Sequence, residues 1–189
     1  MVAEHLEAFI YTLGFWGPFL ACFFILIESI LPILPLCVFI TFNFFAFGNI
    51  IGFLISWLFT CLGCFLSYYL VGKTTSSWHK IYIKKLKFFD KFVIKFQTLS
   101  VPSLTLLLAI PFTPAFLVNI AAGLSKYPFK KFAIAILISK IFLVYFWGYI
   151  GLGIIDSFTS PRVLIKILIM LLTAYLLANI AKYFIIDKK

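Results

Sequence analysis

The chain is poor in acid: of 189 residues, six are Asp or Glu, against sixteen Lys or Arg and two His. Arginine is nearly absent as well, since Arg162 is the single Arg and the other fifteen basic residues are Lys. His5 and His79 both stand outside the apolar runs. So few carboxylates and imidazoles leave no cluster for a catalytic metal site, a triad or a paired-carboxylate centre. We therefore expect no enzyme, no metal and no cofactor. The start, Met1-Val-Ala-Glu4-His5-Leu-Glu7, lacks a basic n-region, which argues against a cleaved signal peptide. Low-complexity and linker segments are missing too, so 1–189 reads as a single membrane domain.

What the chain has is apolar surface. It is 64% hydrophobic and 20% aromatic, with 25 Phe, more than a soluble domain covers. Several runs approach the roughly 20 residues that span a bilayer. The fold expected is all-α and polytopic. The net charge of +10 comes from Lys clusters that flank the runs, as in cytoplasmic loops, and does not point to nucleic acid. Cys22, Cys37, Cys61 and Cys64 all lie inside apolar runs. Cys61-Leu-Gly-Cys64 has metal-ligand spacing, but without a second Cys or His cluster these read as small helix residues.

Two apolar stretches are each broken by a pair of prolines, Pro32 with Pro35 and Pro111 with Pro114. Proline has no N–H and clashes with the preceding turn, so neither stretch runs as one smooth helix. In hydrocarbon, broken backbone is tolerated only inside protein or beside a water-filled cavity. Interrupted apolar segments in two parts of a membrane chain point to a transport site.

Charge sets the expected topology. The segment 73–98 carries Lys73, Lys80, Lys84, Lys85, Lys87, Lys91 and Lys95 against Asp90 alone, and is read as cytoplasmic. Lys126, Lys130 and Lys131 follow the second proline pair. Both clusters stay inside only if 99–123 enters and returns on one side. Counting back, 29–47 becomes a hairpin that enters from outside. About four transmembrane helices result (8–27, 49–72, 132–155 and 163–185), with two opposed re-entrant helical hairpins, an inverted repeat, and both termini cytoplasmic. At about 100° per residue, Lys80, Lys84, Lys87, Lys91 and Lys95 form one stripe, opposite Trp78, Ile81, Tyr82, Phe89, Phe92, Val93 and Phe96. That is a basic amphipathic helix in the interface, whose stripe either anchors the chain or gathers anionic headgroups.

The order of these features resembles the DedA family, the VTT or SNARE-associated domain superfamily. Glu28 with Pro32 and Pro35 carries the resemblance, as do Gly48 with Gly52 and the stretch from Ile110-Pro111-Phe-Thr-Pro114 to Asn119 and Gly123. Phe129, Phe132 and Gly148-Tyr-Ile-Gly151 continue it. The resemblance implies opposed hairpins meeting inside the bilayer of the cell membrane. It also implies flipping or scrambling of a lipid, with a proton or sodium ion as driver in some members. Many relatives carry a carboxylate just after the first proline pair, where this chain has Leu36-Cys37-Val38. Many also carry Arg where this chain has Leu108 and Pro114.

Three polar residues stand at membrane depth as candidates for substrate or ion binding. Glu28 is the only acid between Glu7 and Asp90, and reads either as a group facing a cavity or as a headgroup-level residue. Lys140 lies about 12 Å into its span. It either faces the bundle interior, replacing the missing Arg charge opposite Glu28, or snorkels to the interface. Asn119 either meets a ligand or caps hairpin backbone. Pro32, Pro35, Pro111 and Pro114 are expected to shape the hairpin tips, and Gly123 to end the returning helix in a left-handed conformation. The function expected is a transporter moving a phosphate-headgroup lipid, a phospholipid or a polyprenyl phosphate. Its competitors are a proton- or sodium-coupled small-solute transporter and a non-transporting membrane organiser.

Overall fold

A computed structural model describes residues 16–30, 36–73, 96–111 and 113–157, with helical pieces between 165 and 176. Among these residues every regular element is a helix. Pro32, Pro35, the Lys80–Lys95 stripe and most of the expected span 163–185 lie outside the described residues.

Helix α1, Trp16–Glu28, ends beside the first break. Helix α2, Leu36–Lys73, is two helical arms joined at Gly48, which leaves helical geometry (φ 76°, ψ 175°). Only glycine adopts that conformation without strain. The chain reverses there. Asn43 Nδ2 donates to Ser56 Oγ at 3.1 Å, although thirteen residues of straight helix would separate them by about 20 Å. So α2 is a short arm, 36–47, folded against a long arm, 49–73. Close approach of the two needs Gly52, because a Cβ there would strike the Asn43 carbonyl.

Phe24 of α1 stacks on Phe39 of the short arm, with centroids 5.1 Å apart. Therefore α1 and 36–47 are the two arms of one doubled-back unit. The sequence reading placed the whole dip in 29–47, with 8–27 as a separate span. In the structure 36–47 supplies one arm and α1 the other. Apolar length alone cannot distinguish a span from an arm whose partner lies across a break.

The second half repeats the order. Ser100 caps α3, Val101–Ala109, by accepting from Ser103 N, and Pro102 sits in the first turn. The helix stops because Ile110, preceding Pro111, is extended (φ −74°, ψ 122°). Helix α4, Ala115–Leu124, starts after Pro114. Its end returns to the start of α3. Tyr127 Oη donates to the Leu99 carbonyl (2.9 Å), Gln97 Nε2 donates to the Ser125 carbonyl (2.9 Å), and Phe96 meets Tyr127 edge-on. Burial pushes the Tyr127 phenol above its ordinary value, so its O–H stays a donor. Pro128 then opens the long helix α5, Phe129–Ser157, by accepting from Phe132 N.

Among the described residues two helices are long and apolar enough to cross a bilayer, Leu36–Lys73 and Phe129–Gly153. The long arm of α2 and α5 run antiparallel. Trp57 Nε1 donates to the Leu137 carbonyl (3.0 Å), and Tyr68 stacks on Phe132. Tyr68 Oη donates to the Tyr127 carbonyl (2.8 Å), which gathers Lys73, Lys126, Lys130 and Lys131 at one end of the molecule. Gly48 lies at the other end, where the short arm crosses α5 by setting Phe44 against Gly148 and Thr41 against Gly151. The closed base of α3 and α4 is thus at the lysine end, and that of α1 and 36–47 at the Gly48 end. The core between them holds Leu104, Leu107, Val118, Ala121, Phe132 and Ile136, none more than 2% exposed. Outward, the long arm shows Leu54, Leu58, Leu62, Leu66 and Leu70, one turn apart, as an apolar face.

Candidate functional site

The two breaks meet at one cavity of about 260 Å³. From the first half come Glu28 and Ser29 at the end of α1, Cys37 at the start of α2, and Cys64 of the long arm. From the second half come Pro111, Thr113, Pro114 and the first residues of α4, with Lys140 and Trp147 of α5. Each group is there for a local reason. Helix α1 stops at Glu28, so its last carbonyls and the carboxylate face the break. Helix α4 starts at a proline without a side-chain cap, so its first N–H groups do too. The positive end of one helix dipole therefore opposes the negative end of another across the cavity.

Lys140 is 1% exposed and sits on the inner face of α5. It reaches the cavity instead of snorkelling to an end of the helix, and its charge acts on Glu28. A fully buried lysine is rare unless something compensates it. Glu28 is half-buried on the same cavity. These are the two groups of opposite charge that the sequence offered at depth, and the fold brings them together.

Asn119 is fully buried and links the halves: its Nδ2 donates to the Ser29 carbonyl at 3.4 Å, while its Oδ1 has no partner. Its contact is with the other half's backbone, not with its own hairpin. Pro111 and Pro114 flank the break as expected. Gly123 departs from expectation. It is helical, and the left-handed residue at this turn is Lys126 (φ 52°). Glycine is required at 123 because a Cβ would lie 2.8 Å from the Tyr68 carbonyl, where α4 crosses the long arm.

Sequence reasoning missed Asn43 and Thr113. Asn43 is fully buried and its Nδ2 donates to Ser56 Oγ, tying the short arm to the long arm. Its signal was the one used for Asn119, a lone amide in an apolar run. Thr113, between the two prolines, is 9% exposed with an unpartnered hydroxyl. Cys37 and Cys64 both line the cavity, and no spacing in the sequence signals it. Among the described residues no cluster of metal-ligating side chains occurs.

Residues 34–153 match the VTT domain, from within the first break through most of α5. The chain belongs to the VTT-domain, or DedA, family. The match takes in both arms of α2, the second half as far as Gly153, and Lys140, and begins just beyond Glu28. This VTT-domain protein is also 29% identical to the uncharacterized membrane protein YhjE of Bacillus subtilis (strain 168), over 97% of the chain and 89% of that protein. No solved structure matches. Family, relative and apolar helices agree on a membrane protein.

Proposed function

We propose that this VTT-domain protein is a multi-pass lipid transporter of the cell membrane, carrying a phosphate-headgroup lipid, either a phospholipid or a polyprenyl phosphate, between leaflets. One observation carries the reading: two broken helices, closed at opposite ends of the molecule, converge on a cavity that holds Glu28 and buried Lys140. Their short arms, 9 residues in α3 and 10 in α4, reach about 15 Å, half of a hydrocarbon core of about 30 Å. Such arms dip and return. The dip closed at the lysine end belongs to the cytoplasmic face by the positive-inside bias, and the dip closed at Gly48 to the outer face. The start of α1, at the Gly48 end, then lies toward the outer face, against the cytoplasmic N-terminus that the charge count suggests, while α5 starts at the cytoplasmic face.

The physical gain is a polar seam. A bare phosphate pays several kcal/mol or more to enter hydrocarbon without partners. Here Lys140 and the start of α4 meet it, while the acyl chains stay against outward faces such as the leucines of the long arm. Glu28 balances Lys140 when the seam is empty, and can be replaced in that role by the phosphate. A proton or sodium ion at Glu28 is the means by which such a cycle couples to an ion gradient.

The test is reconstitution into vesicles with fluorescent lipids in one leaflet. Transfer between leaflets faster than in empty vesicles supports the reading. Ion-dependent uptake of a small solute without lipid transfer overturns it in favour of a solute transporter. With neither, the protein is a membrane organiser and the reading fails.

A further inference from the structure

Thr113 stands out in the cavity. It is the residue between Pro111 and Pro114 that carries a hydroxyl, it is 9% exposed, and its Oγ1 has no hydrogen-bond partner. A buried unpartnered hydroxyl is costly and calls for a partner. Its own backbone does not supply one: Thr113 N already donates to the Ile110 carbonyl, which closes the turn. Beside it α4 begins without a side-chain cap, and Ala115 and Phe116, whose N–H groups have no acceptor within the helix, line the same cavity. Lys140 completes the wall.

We infer that Thr113, Lys140 and the first turn of α4 form a subsite for a tetrahedral phosphate group, in which Thr113 is the residue that orients it. The subsite deepens the transport reading and rests on it for the source of the phosphate. The three kinds of donor do different work. The ammonium supplies full charge without direction, and the helix start supplies oriented N–H groups and a partial positive charge. The Thr113 hydroxyl, on the turn that Thr113 N closes to the Ile110 carbonyl, supplies one directed donor that distinguishes a tetrahedral group from a chloride ion.

Cys37 lines the same cavity and is half-buried, so its rate of alkylation reads occupancy. The experiment uses the full chain in detergent, with N-ethylmaleimide labelling of Cys37 followed by peptide mass spectrometry. Four conditions are compared: sodium chloride, sodium phosphate at equal ionic strength, dihexanoylphosphatidic acid, and dihexanoylglycerol as a lipid without phosphate. We expect several-fold slower labelling with phosphatidic acid than with dihexanoylglycerol, and slower labelling in phosphate than in chloride. Thr113→Val should lose most of this protection and Thr113→Ser keep it. Protection by free phosphate but not by the phosphatidic acid upholds the subsite and removes the lipid reading. Protection by neither overturns the subsite, as does equal protection in Thr113→Val and the native chain. Should Thr113→Val fail to fold, the four conditions on the native chain still decide the first point, and Thr113→Ala replaces it for the second.

Discussion

The two halves of this protein follow one plan and hold together differently. Each runs short arm, break, short arm, tight turn, long helix. In the first half the reversal into the long helix is a single residue, Gly48, and the two arms of α2 are pinned by Asn43, which donates to Ser56. In the second half the base is held by side chains, Tyr127 to Leu99 and Gln97 to Ser125, and the buried amide reaches outward, from Asn119 to Ser29 of the first half. The first half is therefore a self-contained clamp, and the second a unit whose tip rests on it through one long hydrogen bond. The charges are divided likewise, with Glu28 from the first half and Lys140 from the second. The halves pack closely along their long helices, through Trp57 to Leu137 and Tyr68 to Tyr127, and only the tips beside the cavity rest on a single long bond.

Charge gives the largest expected effect. Lys140→Met should abolish lipid transfer in vesicles and lower the melting temperature, because half-buried Glu28 loses its counter-charge, whereas Lys140→Met with Glu28→Gln should recover the melting temperature without the transfer. Unchanged transfer would remove Lys140 from the site and leave the halves with no functional division of charge.

Glycine contacts come next. A Cβ at Gly52 meets main chain of the short arm, whereas at Gly72 the nearest atom is 3.7 Å away. Gly52→Ala should cost about 3 kcal/mol or more, and Gly72→Ala much less, read by thermal unfolding in detergent. Equal effects would mean that the two arms of α2 are not pressed together at Gly52.

Much of this plan was legible beforehand. The pair Pro111 and Pro114 fixes a break that the extended Ile110 then makes. Gly48 marked a segment boundary, and the lysines at 73 and 126–131 share an end, as the charge pattern required. What stayed hidden depends on pairing. Phe24 and Phe39 are two among 25 Phe, and nothing in their spacing says that they stack. Gly123 was read for its torsional freedom when its use is close approach to Tyr68. The polar cavity draws on five separate stretches of chain, so its residues share no local motif.

The asparagines sharpen the contrast between halves. Asn43→Ala breaks the bond between the arms of α2 and strands Ser56, so it should cost about 1–3 kcal/mol of stability. Asn119→Ala should cost less than about 1 kcal/mol, since its single bond is long, yet alter the rate of lipid transfer by freeing the tip. The reverse ranking in a thermal melt would invert the assignment of clamp and resting unit. The smallest effect expected is from Tyr127→Phe. It removes the bond to Leu99 at the base of the second half, about 1 kcal/mol, with lipid transfer retained.

Opposed dips can be observed directly in whole cells. Asn49, beside the Gly48 turn, and Lys126, at the base of α4, are both exposed and sit at opposite ends of the fold. With a membrane-impermeant thiol reagent, Asn49→Cys should label in intact cells, and Lys126→Cys only after the cells are opened. Labelling of both from the same side would contradict the opposed arrangement, and with it the seam at Glu28 and Lys140.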